Sequence, residues 1–539
     1  MICRVKSFLP LLLLFVSFAV YIGQYVNEFY VPDSDFFDYR EKAIAMRNLE
    51  NPGISKRPPL YSALIALTST PVKGRNRELY ATETINLICA AISFVFLYSI
   101  GRHFIGRWAF LLVWAWALHP STIRMIIKPK AELLLLALGF WAFWLFIRRK
   151  RWAYLVGFAS TTVRYEGACT VAGIGGSEFF TRRNRIKTVS LSLLSLAFLI
   201  AWTFLSSSQG DGQSYTDFYS KGSITLAYLP ILLQGTFEFL PNSVYLIPAL
   251  GGVVLMLYGI VVFMRKMPRE TLYLVMYYLA FAVIHMVWFT KNKDYLVIIT
   301  WDTIFLILLG GYSLATQSAI KQWILKFLQK NKLIIPLVLL VTAEIILLVR
   351  FQSAGFRFSW TAFVLFNSAL AGFALLEMRR CNLMFALVFL LFSLPVSMGM
   401  LRNHSDQFYQ IHYAKAEYRL AAEWFADQPK NTRMVISQPY IAQYYSGRDS
   451  STFLNLTQLP NTKPDSLRKW LTARDVTHVA WLYDNRIYES DYSWYQWKLE
   501  TRGWKTISFL ETPEEHPGFE FVSKLGAGNR YALIYKVKP

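Results

Sequence analysis

Apolar stretches long enough to cross a bilayer recur through residues 1–400, and short clusters of basic residues punctuate them. A hydrocarbon core of about 30 Å takes roughly 20 apolar helical residues to span. Runs at about 7–26, 81–100, 107–120, 131–147, 152–165, 168–181, 188–207, 244–264, 271–289, 296–315, 332–350, 358–376 and 383–400 meet or approach that length. The expected fold class is therefore mainly α, a polytopic membrane protein with about 13 transmembrane helices over residues 1–400. Three of these runs, 107–120, 152–165 and 168–181, are short, and the last carries Glu178 among three glycines; half-buried helices beside a cavity, or boundaries drawn too tightly, are the alternatives there. The run after Met1 reads as an uncleaved first span, because no small-residue cleavage site follows it.

The chain holds 56 Lys and Arg against 34 Asp and Glu, a net charge of +22. Residues 401–539 carry 18 basic and 15 acidic residues, so the excess lies almost wholly in residues 1–400. It falls in clusters: Arg102 and Arg107; Arg148 to Arg151; Arg182, Arg183, Arg185 and Lys187; Arg265, Lys266 and Arg269; the segment 321–332; Arg379 and Arg380. Each occupies an alternate loop, so the positive-inside rule places these loops and the N-terminus in the cytoplasm. An odd number of spans then carries the tail to the opposite face, periplasmic if the membrane is a bacterial inner membrane. A nucleic-acid binder would gather its charge on one face or tail beside a recognisable motif, and neither is present, so nucleic acid is excluded as a partner.

Residues 401–539 read as an external, soluble α/β domain. Tyr413, Leu420, Ala421, Trp424 and Phe425 recur at helical spacing over 406–426. Strand-like runs follow at 434–437, 478–483, 507–511 and 531–537, with helical stretches at 465–474 and 489–500. The four cysteines (Cys3, Cys89, Cys169 and Cys381) all lie outside this domain, so it has no disulfide framework and no cysteine metal site.

Chemistry-bearing residues gather on the side opposite the basic clusters. Asp33, Asp35 and Asp38 follow the first span, and Lys56-Arg57-Pro58-Pro59-Leu60-Tyr61 leads toward the second. A carboxylate at a membrane surface can take a proton from an attacking hydroxyl, and an Arg can grip a phosphate with two parallel hydrogen bonds. Glu132 stands at the start of the fourth span, Arg164 and Glu166 at the junction of the fifth and sixth, and Lys291, Lys293 and Tyr295 just before the tenth. Solvated loop charges, a helix-start carboxylate and a snorkelling Arg164 paired with Glu166 are the plain structural alternatives. Asp302 and Glu344 fall inside apolar runs, where a carboxylate either pairs or lines a cavity. External cations run against the positive-inside trend and suit an anionic ligand such as a lipid phosphate.

Asp35-x-x-x-Tyr39-x-x-x-Ala43, then Gly53 and Arg57-Pro58-Pro59-Leu60-Tyr61, resembles the first external loop of the GT-C membrane glycosyltransferases. The nearest branch holds the bacterial aminoarabinose transferase and the protein O-mannosyltransferases. Lys130-Ala131-Glu132 is similar to the second-loop acidic position of that family, Arg164-Tyr165-Glu166-Gly167 to its Arg-Pro-Glu-Gly segment, and Lys293-Asp294-Tyr295-Leu296 to its Arg-Tyr-Leu element. The chain departs from the pattern at Phe36, where the family carries a Glu after the first Asp.

The resemblance implies transfer of a sugar from a polyprenyl-phosphate donor in the external leaflet to a hydroxyl of a lipid, glycan or protein acceptor, with inversion. It implies Asp35 as the base or acceptor-positioning acid, with Glu132 assisting it or helping to bind a divalent cation. Arg57, Arg164 and Lys293 would meet the leaving phosphate, with Asp33, Asp38, Tyr39, Tyr61, Glu166 and Tyr295 lining the substrate. No cofactor is expected beyond a divalent metal ion that some members use, and its ligands here stay open. The alternatives are a transporter or flippase of a lipid-linked or anionic substrate, and a polyprenyl-lipid glycan ligase or polymerase. The chain lacks the repeated halves common in carriers, and the tandem of Asp35 with the Arg-Pro-Pro loop suits a ligase less well.

Overall fold

The computed structural model describes residues 31–32, 34–55, 57–74, 76–117, 119–181, 184–208, 246–287, 296–316, 416–484, 505–527 and 530–538. The expected spans at 7–26, 332–350, 358–376 and 383–400, and the expected helix at 489–500, lie outside the described residues. Two compact units form, one from residues 1–25 and 38–405, the other from 26–37 and 406–539.

The first unit is helical. Its elements are α1 (Ser34–Arg47, whose first turn belongs to the second unit), α2 (Leu60–Ser69), α3 (Arg77–Ile105), α4 (Ala109–Ala117) and α5 (Pro120–Ile127). These are followed by α6 (Glu132–Ile147), α7 (Trp152–Thr161), α8 (Gly167–Thr181), α9 (Arg185–Ser208), α10 (Leu246–Lys266), α11 (Pro268–Val287) and α12 (Val297–Thr316). Four helical stretches among the described residues are long and apolar enough to cross a membrane: Arg77–Ala117, Arg185–Ser208, Ala249–Lys266 and Val297–Thr316. Large apolar side chains stay exposed along α3, α9, α10 and α11, among them Ile92, Leu194, Val254 and Val283, as lipid-facing surfaces require. By contrast, α12 is largely enclosed: 78% of its most apolar window is buried, against 11% for α9.

Within Arg77–Ala117 the chain doubles back. Gly106 adopts φ +57°, a conformation that a side chain resists, and α3 ends there. The Phe94 and Trp116 ring centroids then meet 5.8 Å apart although 22 residues separate them, so α4 lies against α3. The runs expected as short spans at 107–120 and 152–165 become helices of 9 and 10 residues. At about 1.5 Å per residue neither crosses a bilayer alone, which corrects their reading as full spans. The run at 168–181 forms α8 in spite of its glycines, and Glu178 finds partners in Tyr154 Oη (3.1 Å) and Arg269 Nη2 (3.4 Å).

Where α10 crosses α12 the two backbones touch. A Cβ on Gly310 would collide with the carbonyl oxygen of Leu255, and one on Gly259 would come within 2.6 Å of the Gly310 nitrogen. Small residues at such a crossing let apolar helices approach and gain dispersion contact where no hydrophobic effect favours association.

A buried carboxylate joins α1 to α3. Glu78, 2% exposed, accepts from Arg47 Nη1 (2.7 Å) and Arg77 Nε (2.9 Å), with Arg40 Nε at 3.7 Å. The segment between the first two expected spans is thus substantially helical where described, with α1 and α2 inside it.

Among the described residues the second unit is a five-stranded mixed sheet with helices. Strands β1 (Met434–Ile436), β2 (Phe453–Asn455), β3 (His478–Asp484), β4 (Phe519–Ala527) and β5 (Arg530–Val537) stand in the order β2-β1-β3-β5-β4. β1 runs parallel to β2 and β3, and β5 antiparallel to β3 and β4, with Trp481 opposite Leu533. Helices α13 (Ala416–Ala426), α14 (Pro439–Ser446) and α15 (Pro464–Thr472) accompany the sheet. Phe36 and Phe37 join this unit through Tyr440 and Tyr444, with Phe37 and Tyr440 centroids 4.9 Å apart. The strand expected at 507–511 is instead a 3₁₀ helix, Lys505–Leu510. The partner of β5 on that side is instead β4, from the later segment Phe519–Ala527, since strand preference depends on the packing a segment meets as well as on its own residues.

Candidate active site

Three loops of the first unit converge. Leu60 N–H at the start of α2 donates to Thr162 O (3.1 Å), tying the Arg57 loop to the α7–α8 junction. Asn86 of α3 accepts from Tyr61 Oη (3.2 Å) and donates to Lys128 O (2.7 Å), which draws in the segment before α6. That segment is followed at once by Glu132, the first residue of α6.

Arg164 occupies the α7–α8 junction. It forks onto Glu166, with Nε to Oε2 at 3.1 Å and Nη2 to Oε1 at 3.0 Å, and its Nη1 reaches Glu132 Oε1 at 3.0 Å. All three residues are at most 7% exposed. Glu132 Oε2 is buried with no hydrogen-bond partner among the described residues. His285 of α11 stands 3.9 Å from Glu166 Oε1, a charge pair when the imidazole is protonated. Burial disfavours charge on Arg164, but Glu132, Glu166 and the Tyr39 hydroxyl outweigh it and hold the guanidinium well above its usual range. For Glu166 burial is likewise overcome, by Arg164 first, and its carboxyl sits below the usual range.

Arg57 forms the second part of the site. Its Nε donates to Asp38 Oδ2 (2.8 Å), and its guanidinium lies 5.1 Å from the Tyr39 ring centroid. Tyr39 meets Tyr61 edge to face at 4.9 Å, and the pair is buried at 2% and 0% exposure. Tyr39 is thus the ring that both the Arg57 guanidinium and Tyr61 pack against.

Of the residues singled out from sequence, the structure brings together Asp38, Tyr39, Arg57, Tyr61, Glu132, Arg164 and Glu166 in the first unit. Asp35 sits in the first turn of α1, half-buried, in the stretch that belongs to the second unit. Asp33, Lys293 and Tyr295 lie outside the described residues, as does Glu344. Asp302 is fully buried in α12, and neither carboxylate oxygen has a hydrogen-bond partner among the described residues. No group of three His, Cys, Asp or Glu that could hold a metal ion occurs among the described residues.

Sequence reasoning passed over Lys42, Asn86 and His285. Lys42 carried a usable signal, being one helical turn beyond Asp38. Asn86 and His285 lie within apolar runs, where a polar side chain implies a partner without saying which.

No family model and no curated protein sequence matches the chain. Solved structures do. ArnT from Cupriavidus metallidurans bound to undecaprenyl phosphate superposes with a TM-score of 0.55 at 12% identity, covering 98% of this chain and 96% of that one. The apo state of the same protein gives 0.53 at 14% identity, covering 97% and 96%. The archaeal oligosaccharyltransferase AglB from Archaeoglobus fulgidus, in complex with an inhibitory peptide and a dolichol-phosphate, gives 0.51 at 10% identity, covering 98% and 74%. The likeness runs along nearly the whole chain, and it is a likeness of fold.

Proposed function

From a chain with the GT-C fold of membrane glycosyltransferases, we infer an enzyme that transfers a sugar from a polyprenyl-phosphate donor to an acceptor hydroxyl at one face of the membrane. The observation that carries this reading is the buried Arg164–Glu132–Glu166 cluster, whose loop is hydrogen-bonded to the Arg57 loop, on a fold shared with a protein bound to undecaprenyl phosphate. The AglB complex with a dolichol-phosphate points to the same class of carrier lipid.

In this reading the acceptor oxygen attacks the anomeric carbon as the bond from that carbon to the phosphate oxygen breaks. The electron pair leaves with the polyprenyl phosphate, and the hydroxyl proton passes to Asp35. Arg57 meets the leaving phosphate, with Lys293 as a second cation. Arg164 adds charge and, being already engaged on two carboxylates, holds Glu132 so that its free Oε2 aims at the acceptor or its proton. Preorganised charges in a site shielded from water need no rearrangement at the moment of reaction, which is why they lower the barrier most. Asp38, Tyr39, Tyr61 and Glu166 would contact the substrate, and the resemblance assigns Asp33 and Tyr295 to the same role.

We place the catalytic face on the side opposite the basic clusters, with residues 401–539 outside and a bacterial inner membrane as the setting. The acceptor is a lipid, glycan or protein hydroxyl. The test compares lipid extracts from cells making equal amounts of wild type and Asp35→Asn. Accumulation in the mutant of one polyprenyl-phosphate sugar identifies the donor and supports transfer. Identical lipid profiles overturn it.

One observation favours a carrier instead: Asp302, a carboxylate enclosed in α12 without a hydrogen-bond partner among the described residues. A carrier would leave the sugar–phosphate bond intact in wild type and mutant alike, which the same extracts distinguish.

A further inference from the structure

Lys42 lies one turn beyond Asp38 on α1, and both reach residue 57. Asp38 accepts from the Arg57 guanidinium Nε at 2.8 Å, and Lys42 Nζ donates to the Arg57 carbonyl oxygen at 2.7 Å. One helix face thus grips Arg57 by its side chain and by its backbone. The same loop is held a second time two residues earlier, where Trp202 Nε1 of α9 donates to Ser55 O at 3.1 Å. Lys42 Nζ also sits 5.4 Å from the Trp202 ring centroid, so the lysine and the indole form a joint clamp on 55–57. Beyond Arg57 come Pro58 and Pro59, whose fixed φ passes the loop's direction on to α2.

Lys42 is 6% exposed. Burying an ammonium is costly, and an apolar residue of similar length would fill the same space without that cost. Packing therefore does not account for the charge. The charged groups facing it among the described residues are Asp38 on α1 and Arg57 on the loop, while α9 presents the Trp202 ring.

We propose that Lys42 is a positioning residue for phosphate recognition: by holding the Arg57 carbonyl while Asp38 holds the guanidinium, it sets the direction from which Arg57 meets a polyprenyl phosphate. The proposal deepens the glycosyltransferase reading and rests on its assignment of Arg57. Lys42 acts through Arg57 and does not itself touch the reacting atoms. Burial, opposed by Asp38 and reinforced by Arg57, lowers the Lys42 pKa to about 8. The ammonium is therefore charged below about pH 8 and neutral above it. A neutral amine makes a weaker hydrogen bond to the carbonyl and no longer balances Asp38, so the hold on Arg57 loosens as pH rises.

The test measures binding of undecaprenyl phosphate to the full-length protein in detergent across about pH 7 to 9.5, for wild type, Lys42→Arg, Lys42→Met and Arg57→Ala. A phosphate monoester with a second pKa near 6 is close to fully ionised throughout, so the ligand cannot produce a fall in affinity on the alkaline side. Wild type is expected to lose about 5-fold in affinity over that range, the difference between a charged and a neutral hydrogen bond. Lys42→Arg keeps its charge and gives a flat profile with affinity near that of wild type at pH 7. Lys42→Met is weak and flat. If Lys42→Met does not fold, the contrast between wild type and Lys42→Arg still decides. Binding by wild type that Arg57→Ala weakens, with a flat wild-type profile, overturns the role of Lys42 alone. Absence of binding by wild type removes the polyprenyl-phosphate reading, and the proposal with it.

Discussion

Arg164 Nη1 reaches Glu132 Oε1 at 3.0 Å across 32 residues of sequence, and the second carboxylate oxygen of Glu132 is left buried without a hydrogen-bond partner among the described residues. One side of the carboxylate is an anchor and the other is available. In the proposed reaction the anchored oxygen fixes Glu132, and the other oxygen is the one that would serve the acceptor.

Glu132→Gln should therefore separate the two sides. The amide oxygen can still accept from Arg164, while the free anionic oxygen is lost. Transfer from the donor identified by lipid analysis should fall by about 100-fold, with a thermal midpoint close to wild type. Glu132→Ala should lose both, and destabilise by about 3 kcal/mol because Arg164 keeps a buried charge with one partner fewer. Parallel turnover and thermal unfolding in detergent check the pair; equal loss of stability in both variants would sink the distinction.

Glu78 offers a purely structural comparison. Arg47 and Arg77 donate to one of its carboxylate oxygens and Arg40 approaches the other, so Glu78→Ala leaves three guanidinium groups around an empty position. A loss of about 3 kcal/mol is expected, seen as a lowered thermal midpoint. Any protein that remains folded should still bind undecaprenyl phosphate, since none of the four residues belongs to the proposed phosphate contacts.

The crossing of α10 and α12 predicts opposite behaviour at adjacent glycines. Gly310→Leu drives a side chain into the Leu255 carbonyl and should prevent accumulation of folded protein in the membrane. Gly311→Ala meets nothing within 4 Å and should be neutral, or stabilising by up to about 1 kcal/mol through helix propensity. Monodispersity after detergent extraction reads both. A well-folded Gly310→Leu would refute the backbone contact.

In the second unit His478 faces Lys536 across the β3–β5 ladder, and burial, with Lys536 adding to it, lowers its pKa to about 4. The folded state thus favours the neutral imidazole. Its contribution is complete above the unfolded value near 6.5 and is lost as pH falls through about 4. Discounted for the side chain's partial exposure, the loss is on the order of 1 kcal/mol. The thermal transition of this unit, followed in the full-length protein between about pH 7 and 4, should fall in wild type and fall less in His478→Gln. Parallel curves would show that other groups govern acid sensitivity.

The sequence by itself determined what depends on neighbours along the chain. The runs at 81–100, 188–207 and 296–315 form helices because bilayer-length hydropathy is a local property, legible residue by residue. The Arg57-Pro58-Pro59 turn and the nearness of Arg164 to Glu166 are local too, and both could be read directly. Tertiary structure decided every pairing that joins distant segments: Arg164 with Glu132 at 32 residues, Arg57 with Asp38 at 19 and Lys42 with Arg57 at 15. It also decided that 505–510 would be a 3₁₀ helix while 519–527 took the sheet edge, and that α4 would fold back on α3. The physical reason is common to all of these. A charge or a strand former carries its preference along the sequence, but the partner that satisfies it is supplied by whichever segment packing brings within about 3 Å, and nothing in the local pattern names that segment.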